Sequence, residues 1–201
     1  MKKTELVYRF ICERFVQNGN KFTQSEIAKA LGISLSTVNA AVQKLDKISA
    51  VRVYTRRFEV IAFDKLILFW ATHRNLYKDI CYQTRTDLQI REIENSMPAN
   101  VAFTAYTAYK YVVGEPPADY SQVYAYAAIG SLNAIKKRFP AKTGTPNLII
   151  LSADFIMNRL IISGLLPHNS VSIPQMFVDL WNIKNWYSKE FIDKLRVELK
   201  I

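Results

Sequence analysis

The sequence predicts an α+β fold, in which a helical, basic N-terminal segment precedes a longer segment of alternating strands and helices. Two capped amphipathic helices joined by a glycine turn lie within residues 22–47, and a run of alternating apolar residues follows at 51–61. Beyond residue 80, short β-type runs alternate with helical runs, which is typical of a mixed sheet covered by helices. These observations predict two domains, residues 1–62 and 63–201.

The first capped helix begins after Thr23, an N-cap residue with Glu26 three positions on, which completes a capping box. Phe22 and Ile27 flank the cap at the spacing of a hydrophobic staple. Gly32 supplies the left-handed residue that ends a helix at little cost. The pattern therefore predicts a short helix that stops at a tight turn.

Ser34 can cap the second helix, which should run to Lys47. Apolar residues at helical spacing predict its buried face: Val38, Ala41, Val42 and Leu45. The opposite face carries small or hydrogen-bonding side chains, which suit base edges and phosphates in a DNA groove. From the two helices we expect DNA contacts by Thr23, Gln24, Ser34, Ser36, Thr37, Asn39, Gln43, Lys44 and Lys47.

Two capped amphipathic helices also occur in ordinary bundles, and some helix-turn-helix units bind proteins rather than DNA. Here the cap, the staple, the turn glycine and the polar outer face agree, which favours DNA binding. A helix over Thr4–Val16, ended by Gly19, is expected to brace the pair.

A hairpin is predicted over Val51–Ile61, with its turn near Thr55. Three helices followed by a hairpin form a winged helix. Arg52, Arg56 and Arg57 on this wing are then placed to contact phosphates or a minor groove. Arginines on a loop can also be merely solvated, and the preceding motif is what favours a role in binding.

The charge of the chain is positive and uneven. The net charge is +10 and the pI about 9.6, which predicts an anionic partner such as nucleic acid or a membrane surface. Residues 1–63 hold eleven Lys and Arg against five Asp and Glu, while the remaining residues hold sixteen against twelve. The excess is therefore densest around the predicted helix-turn-helix.

The two cysteines, Cys12 and Cys81, predict buried reduced thiols rather than a disulfide framework or a metal site. Glu5, Arg9 and Glu13 interrupt any apolar core of a signal peptide. No stretch approaches 18 apolar residues, so we expect no membrane partner and a cytoplasmic protein.

A helix over residues 63–80 is predicted to link the two domains. Seven residues recur on it at nearly heptad spacing: Leu66, Phe69, Trp70, His73, Leu76, Tyr77 and Ile80. Such a stripe is usually core, but it could also be the seam of a homodimer. We expect His73 to be a core residue rather than a metal ligand.

The remaining segments predict a mixed domain. Strands are expected at residues 81–84, 123–128 and 148–152, and helices at 88–96, 104–113, 132–138, 153–160, 173–181 and 186–199. The basic run Lys136-Lys137-Arg138 could contact DNA or an acidic partner, or simply be a solvated helix face.

Three segments of residues 63–201 carry a family resemblance: Ala102–Val112, Tyr120–Ala127 and Val171–Ile183. This part of the chain resembles the C-terminal domain of AbiEi-type antitoxins and related winged-helix regulators, which is similar to a degenerate nucleotidyltransferase fold. The resemblance implies a regulatory or dimerisation domain behind a winged helix, and a possible toxin as partner.

A nucleotidyltransferase needs two carboxylates one residue apart on a strand to hold magnesium. The corresponding segment here reads Ser121-Gln122-Val123-Tyr124. Asp119 and Glu115 lie in a proline-rich loop, and Asp154 suits a helix N-cap. We therefore expect no catalysis, no cofactor and no metal.

The sequence thus predicts a sequence-specific, dimeric DNA-binding transcriptional regulator. An antitoxin that also represses its operon, or a divergent nucleotidyltransferase, is the alternative.

Overall fold

The computed structural model describes all residues from 1 to 201, which form two units. One unit comprises residues 1–74 and 196–201, and the other comprises residues 75–195. The predicted domain boundary after residue 62 falls inside the first unit, which also includes the helix that follows the hairpin. None of the helices combines the length and apolar composition that a membrane crossing requires.

The first unit consists mainly of four helices and a small antiparallel sheet. Its helices are α1 (Lys3–Val16), α2 (Gln24–Leu31), α3 (Leu35–Lys47) and α4 (Phe63–His73), and its strands are β1 (Lys21–Phe22), β2 (Val51–Val53) and β3 (Phe58–Val60). Strand β3 lies between β1 and β2. The predicted winged helix-turn-helix is confirmed. Strand β1 was not predicted, because two residues are too few to reveal an alternating pattern.

Local capping explains where α2 and α3 begin and end. Thr23 Oγ1 accepts a hydrogen bond from the Glu26 amide at 3.1 Å, and Ser34 Oγ accepts one from the Thr37 amide at 3.3 Å. Gly32 joins the helices with φ 62° and ψ 37°, a conformation that costs other residues steric strain. The four apolar residues predicted to face inward on α3 are fully buried.

The predicted linking helix over residues 63–80 is wrong in length, because α4 ends at His73. Arg74 is extended and buried, and its guanidinium lies 3.7 Å from the Glu5 carboxylate on α1. A buried charge needs a partner, so this long-range pair overrides the helical pattern. The Asn75 side chain then caps a 3-10 helix over Leu76–Asp79.

The aromatic stripe predicted on this helix is consequently divided. Leu66, Trp70 and Leu76 are buried, whereas Tyr77 is 45% exposed. His73 is exposed, and its Nδ1 lies 2.8 Å from the carbonyl of Phe69 in the preceding turn. The expectation of a core histidine is therefore wrong.

The second unit is built around a four-stranded mixed sheet. Its strands are β4 (Ile80–Thr84), β5 (Val101–Thr104), β6 (Val123–Ala127) and β7 (Leu148–Ser152), and its helices are α5 (Ile90–Ser96), α6 (Ala105–Val112), α7 (Leu132–Arg138), α8 (Phe155–Ile162), α9 (Ile173–Trp181) and α10 (Ser188–Leu199), the last of which ends in the first unit. The strand order is β4-β7-β6-β5. Strands β6 and β7 are parallel, and the other two pairings are antiparallel.

Strand β5 was missed, and the exposure of one cysteine was wrongly predicted. All four residues of β5 are buried, so the strand has no polar alternation to distinguish it from a buried helix. Cys12 is buried as expected, but Cys81 lies on the edge strand β4 and is exposed. Both cysteines are free thiols.

A buried carboxylate joins the sheet of the second unit to α9. Asp179 is fully buried and its Oδ2 accepts hydrogen bonds from Thr104 on β5, at 2.8 Å, and from Tyr126 on β6, at 2.7 Å. Its Oδ1 accepts a third from Gln175 at 2.9 Å. Such a group is stable in a core only while these donors satisfy it.

Candidate nucleic-acid interface

A groove of about 550 Å³ lies on the first unit, where the starts of α2 and α3 meet the turn of the wing. Its lining residues are Thr23, Gln24, Ser25, Leu35, Tyr54, Thr55, Arg56 and Arg57. The first amides of a helix have no partner within that helix, and its dipole favours negative charge there. Together with the wing arginines, the groove is therefore suited to an anion such as a phosphate.

One face of α3 is a stripe of exposed polar side chains. Ser36, Asn39, Gln43 and Lys47 follow one another at three- or four-residue spacing, and all are exposed. The small side chain of Ala40 lies on the same face and is also exposed. We call these five residues the polar stripe. Because the opposite face of α3 is buried, the polar stripe is the face that the fold presents to solvent.

Asn39 is held in place by a neighbouring helix. Its Nδ2 donates a hydrogen bond to Gln24 Oε1 at 3.1 Å, which joins the start of α2 to the middle of α3. The bond uses one amide donor of Asn39, so a second donor and the acceptor oxygen remain for a base edge. Gln24 thus positions Asn39.

Hydroxyl groups cluster at the start of α3. Ser34 Oγ lies 2.8 Å from Thr37 Oγ1 and 3.0 Å from Ser36 Oγ. Each hydroxyl can both donate and accept, so the cluster can reorient towards a phosphate. Lys44, by contrast, lies in the last turn of α3 and is exposed.

The three predicted wing arginines have different surroundings. Arg57 Nη2 lies 3.3 Å from Glu59 Oε1, and its guanidinium carbon lies 5.4 Å from the ring centroid of Tyr54. Arg56 is exposed at the turn and makes no ion pair. Arg52 is exposed in the middle of β2, directly opposite Glu59. The structure thus places Arg56 at the groove, and Arg52 on the body of the wing.

Several residues of this surface were not predicted. Lys21 lies opposite Glu59 on β1, as Arg52 does on β2, so both cations are cross-strand neighbours of the residue that pairs with Arg57. Ser25, Leu35, Tyr54 and Thr55 line the groove. Their only sequence signal was proximity to predicted residues, because the contact between wing and helices depends on how the hairpin folds back.

The carboxylates considered as possible nucleotidyltransferase metal ligands lie in the second unit. Asp154 is the N-cap of α8, and its Oδ1 accepts hydrogen bonds from the amides of Ile156 and Met157, both at 3.0 Å. Glu115 and Asp119 lie in the loop before β6. No three His, Cys, Asp or Glu side chains are grouped where they could share a metal ion.

Comparison with known proteins bears on the first unit. A family model described as winged helix-turn-helix DNA-binding matches residues 16–59, which include β1, α2, α3 and most of the wing. No curated protein and no solved structure matches the chain. The first unit therefore contains a winged helix-turn-helix domain of the DNA-binding type.

Proposed function

We propose that the chain is a sequence-specific transcriptional regulator that reads duplex DNA with α3. The observation that carries the proposal is the polar stripe, exposed on a capped helix whose other face is buried. A major groove admits one α-helix, and side chains on its outer face then reach base edges. The match of residues 16–59 to a DNA-binding family supports the same role.

The residues of the interface divide into base-reading and phosphate-binding groups. Asn39 and Gln43 carry amides, which pair with both the N6 and N7 positions of adenine. Lys44 and Lys47 are long cations that can reach phosphates or guanine. Arg56 and the amides at the start of α2 hold a backbone phosphate in the groove, which fixes the register of α3 on the duplex.

The second unit is non-catalytic and regulates or dimerises the protein, as its resemblance to AbiEi-type antitoxins implies. The capping role of Asp154 supports this proposal, because that carboxylate already serves α8. A homodimer should bind an inverted repeat, since the symmetry of the site follows that of the protein. Magnesium-dependent transfer from a labelled nucleotide that requires Asp119 or Asp154 would contradict the non-catalytic role.

An antitoxin is a second candidate, and an apolar surface of the second unit favours it. Phe155 and Ile162 on α8 are 49% and 64% exposed, and Leu165 beyond the helix is 70% exposed. Phe155 and Ile162 are seven residues apart and so lie on one face of α8, and exposed apolar side chains on one face suit a protein partner. An adjacent gene for an intact nucleotidyltransferase, whose toxicity co-expression of this chain relieves, would support an antitoxin.

Selection of bound duplexes from a random pool tests the proposed function. The full chain should enrich one sequence, and Asn39→Ala should lose discrimination at one position of that sequence. Lys29→Ala is the matched control, because Lys29 is exposed on α2 but outside both the polar stripe and the groove. If the wild-type chain enriches no sequence, the proposal fails.

A further inference from the structure

The second unit contains a separate recess with a strongly basic lining, which we call the basic cleft. Its charged residues are Arg85, Asp87, Arg138 and Lys142, and its volume is about 310 Å³. These residues come from the segment after β4, the end of α7 and the loop before β7. Basic residues at the end of one helix are common, but here cations from three segments converge on one recess.

Buried polar residues hold the basic cleft in shape. Thr84 Oγ1 accepts a hydrogen bond from the Lys142 amide and donates one to the Pro140 carbonyl, both at 2.9 Å. Asn147 pairs with the backbone of Thr86 through two further bonds, at 2.8 and 2.9 Å. Both ends of the 140–147 loop are therefore fixed on β4 and its continuation, so the cleft exists before any ligand binds.

The position of Arg85 is restricted by the same loop. A Cβ atom added to Gly144 would lie 3.4 Å from Arg85 Cγ, which means that the loop backbone packs against the stem of this arginine. Gly144 also has φ 124°, a value that side chains rarely permit. The first carbons of the Arg85 side chain are therefore packed against the loop, and the guanidinium beyond them makes no ion pair.

The cleft has one carboxylate and three cations. Lys142 Nζ bonds to Asp87 Oδ2. This hydrogen bond and the charge of Lys142 hold the pKa of Asp87 below its usual value, and the charge of Arg85 adds to the effect. Arg138 donates to the Ser96 carbonyl at 2.6 Å and keeps its charge. Lys136 and Lys137 extend the positive surface along α7.

We propose that the basic cleft is a second contact surface for the phosphate backbone of duplex DNA, outside the winged helix. The proposal rests on the proposed function, because that function supplies the duplex. Arg85, Asp87 and Lys142 are all exposed, so the recess is open and shallow. An open basic surface suits one phosphate of a long polyanion, whereas a small phosphorylated molecule is usually enclosed. The guanidinium of an arginine can also make a bidentate contact with a phosphate.

The test measures how the affinity of the full chain for DNA depends on salt. A fluorescent duplex with the selected sequence and a scrambled duplex are titrated with wild type and with Arg85→Gln/Lys142→Gln. Arg159→Gln/Lys189→Gln is the matched control, because it removes the same two charges from exposed positions of the second unit. Glutamine keeps much of each stem, which limits any effect on folding.

The cleft variant should flatten the plot of log affinity against log salt by about one unit, since the one phosphate that the cleft would neutralise contributes about 0.9. The loss should be equal on both duplexes, because phosphate contacts carry no sequence information. The control variant should keep the wild-type slope. If the cleft variant and the control have equal slopes, the proposal is wrong.

The remaining outcomes separate this proposal from the proposed function. If wild type binds both duplexes equally, the sequence-specific function fails, and a flatter slope for the cleft variant still supports the cleft. If the cleft variant keeps the wild-type DNA slope but loses binding of adenosine monophosphate, the cleft serves a small phosphorylated ligand and the proposal is overturned. If wild type binds neither duplex, both proposals fail.

Discussion

Neighbouring arginines at the wing turn have unequal freedom. Arg57 is shared between the Glu59 carboxylate and the Tyr54 ring, whereas Arg56 extends into solvent beside the groove. An exposed ion pair contributes about 0–1 kcal/mol, so the pair with Glu59 orients Arg57 more than it stabilises the wing. Arg56 is therefore the better candidate for a phosphate contact, and Arg57 for shaping the turn.

Arg56→Ala should weaken binding to selected and scrambled duplexes equally, and reduce the salt slope by about one. The reason is the loss of one phosphate contact with no change at the base edges. Arg57→Ala should change the slope less, because Glu59 already offsets that charge. Fluorescence anisotropy at several salt concentrations measures both. An unchanged slope for Arg56→Ala would remove this residue from the interface.

The thiols of Cys12 and Cys81 have different surroundings. Burial raises the pKa of Cys12 well above its usual value, and the charge of Glu13 raises it further. Cys81 is exposed on the edge strand β4. The thiolate is the nucleophile that attacks a thiol reagent, so a raised pKa and burial both protect Cys12.

At pH 8 a chromogenic disulfide reagent should therefore titrate one thiol of the native chain. The second thiol should react only after unfolding in urea. Cys81→Ser should abolish the fast reaction, while Cys12→Ser should retain it. Two fast thiols in the wild-type chain would contradict the burial of Cys12.

Local chemistry determined which residues could be predicted. The caps at Thr23, Ser34 and Asp154 and the turn at Gly32 depend on residues within four positions, and all are confirmed. The positions of Lys21 and Tyr54 at this surface depend on strand pairing and on how the wing folds back, and no local sequence pattern predicts these. The DNA contacts themselves remain predictions.

For helices and strands, long-range contacts shift the ends away from those that the sequence predicts. The apolar period of α4 continues to Ile80, but the buried pair of Arg74 and Glu5 ends the helix at His73. Strand β5 is buried throughout, so its sequence could equally be helical. Element type was thus predictable for exposed amphipathic segments, and less so for segments buried on every side.

The hydrogen bonds of Asp179, which join β5 and β6 to α9, predict that its substitution will lower the free energy of unfolding substantially. Asp179→Ala should destabilise the second unit by about 3 kcal/mol, because two hydroxyls and an amide would lose their acceptor in the core. Asp179→Asn should cost less, because Gln175 can flip its amide, whose Oε1 otherwise lacks a hydrogen bond, to accept from the new side chain.

Urea unfolding followed by tryptophan fluorescence measures this effect, since Trp181 and Trp186 both lie in the second unit. Asp193→Ala is the matched control, because Asp193 is 51% exposed and pairs only with Lys189 four residues earlier. It should change stability by less than about 0.5 kcal/mol. Equal effects of the two alanine variants would show that the Asp179 cluster does not stabilise the unit.

For the molecule as a whole, the charge of +10 governs how binding responds to salt. We expect the chain to bind both duplexes measurably near 50 mM salt, the selected one more tightly, and to retain only the selected one near 200 mM. Released counterions account for the loss, which reaches about a thousandfold for six neutralised phosphates. Competition between the two duplexes at each salt concentration measures the ratio of their affinities. Scrambled binding that does not vary with salt would exclude an electrostatic contribution.

The short strand β1 has a mechanical consequence. It immediately precedes the Thr23 cap of α2, and it pairs with β3 at the root of the wing. The helix-turn-helix and the wing are therefore joined by backbone hydrogen bonds and cannot hinge independently. Little conformational entropy is lost when a rigid surface binds, so the domain should bind DNA without rearranging. Differences in its affinity between DNA sites should then arise mainly from the dissociation rate.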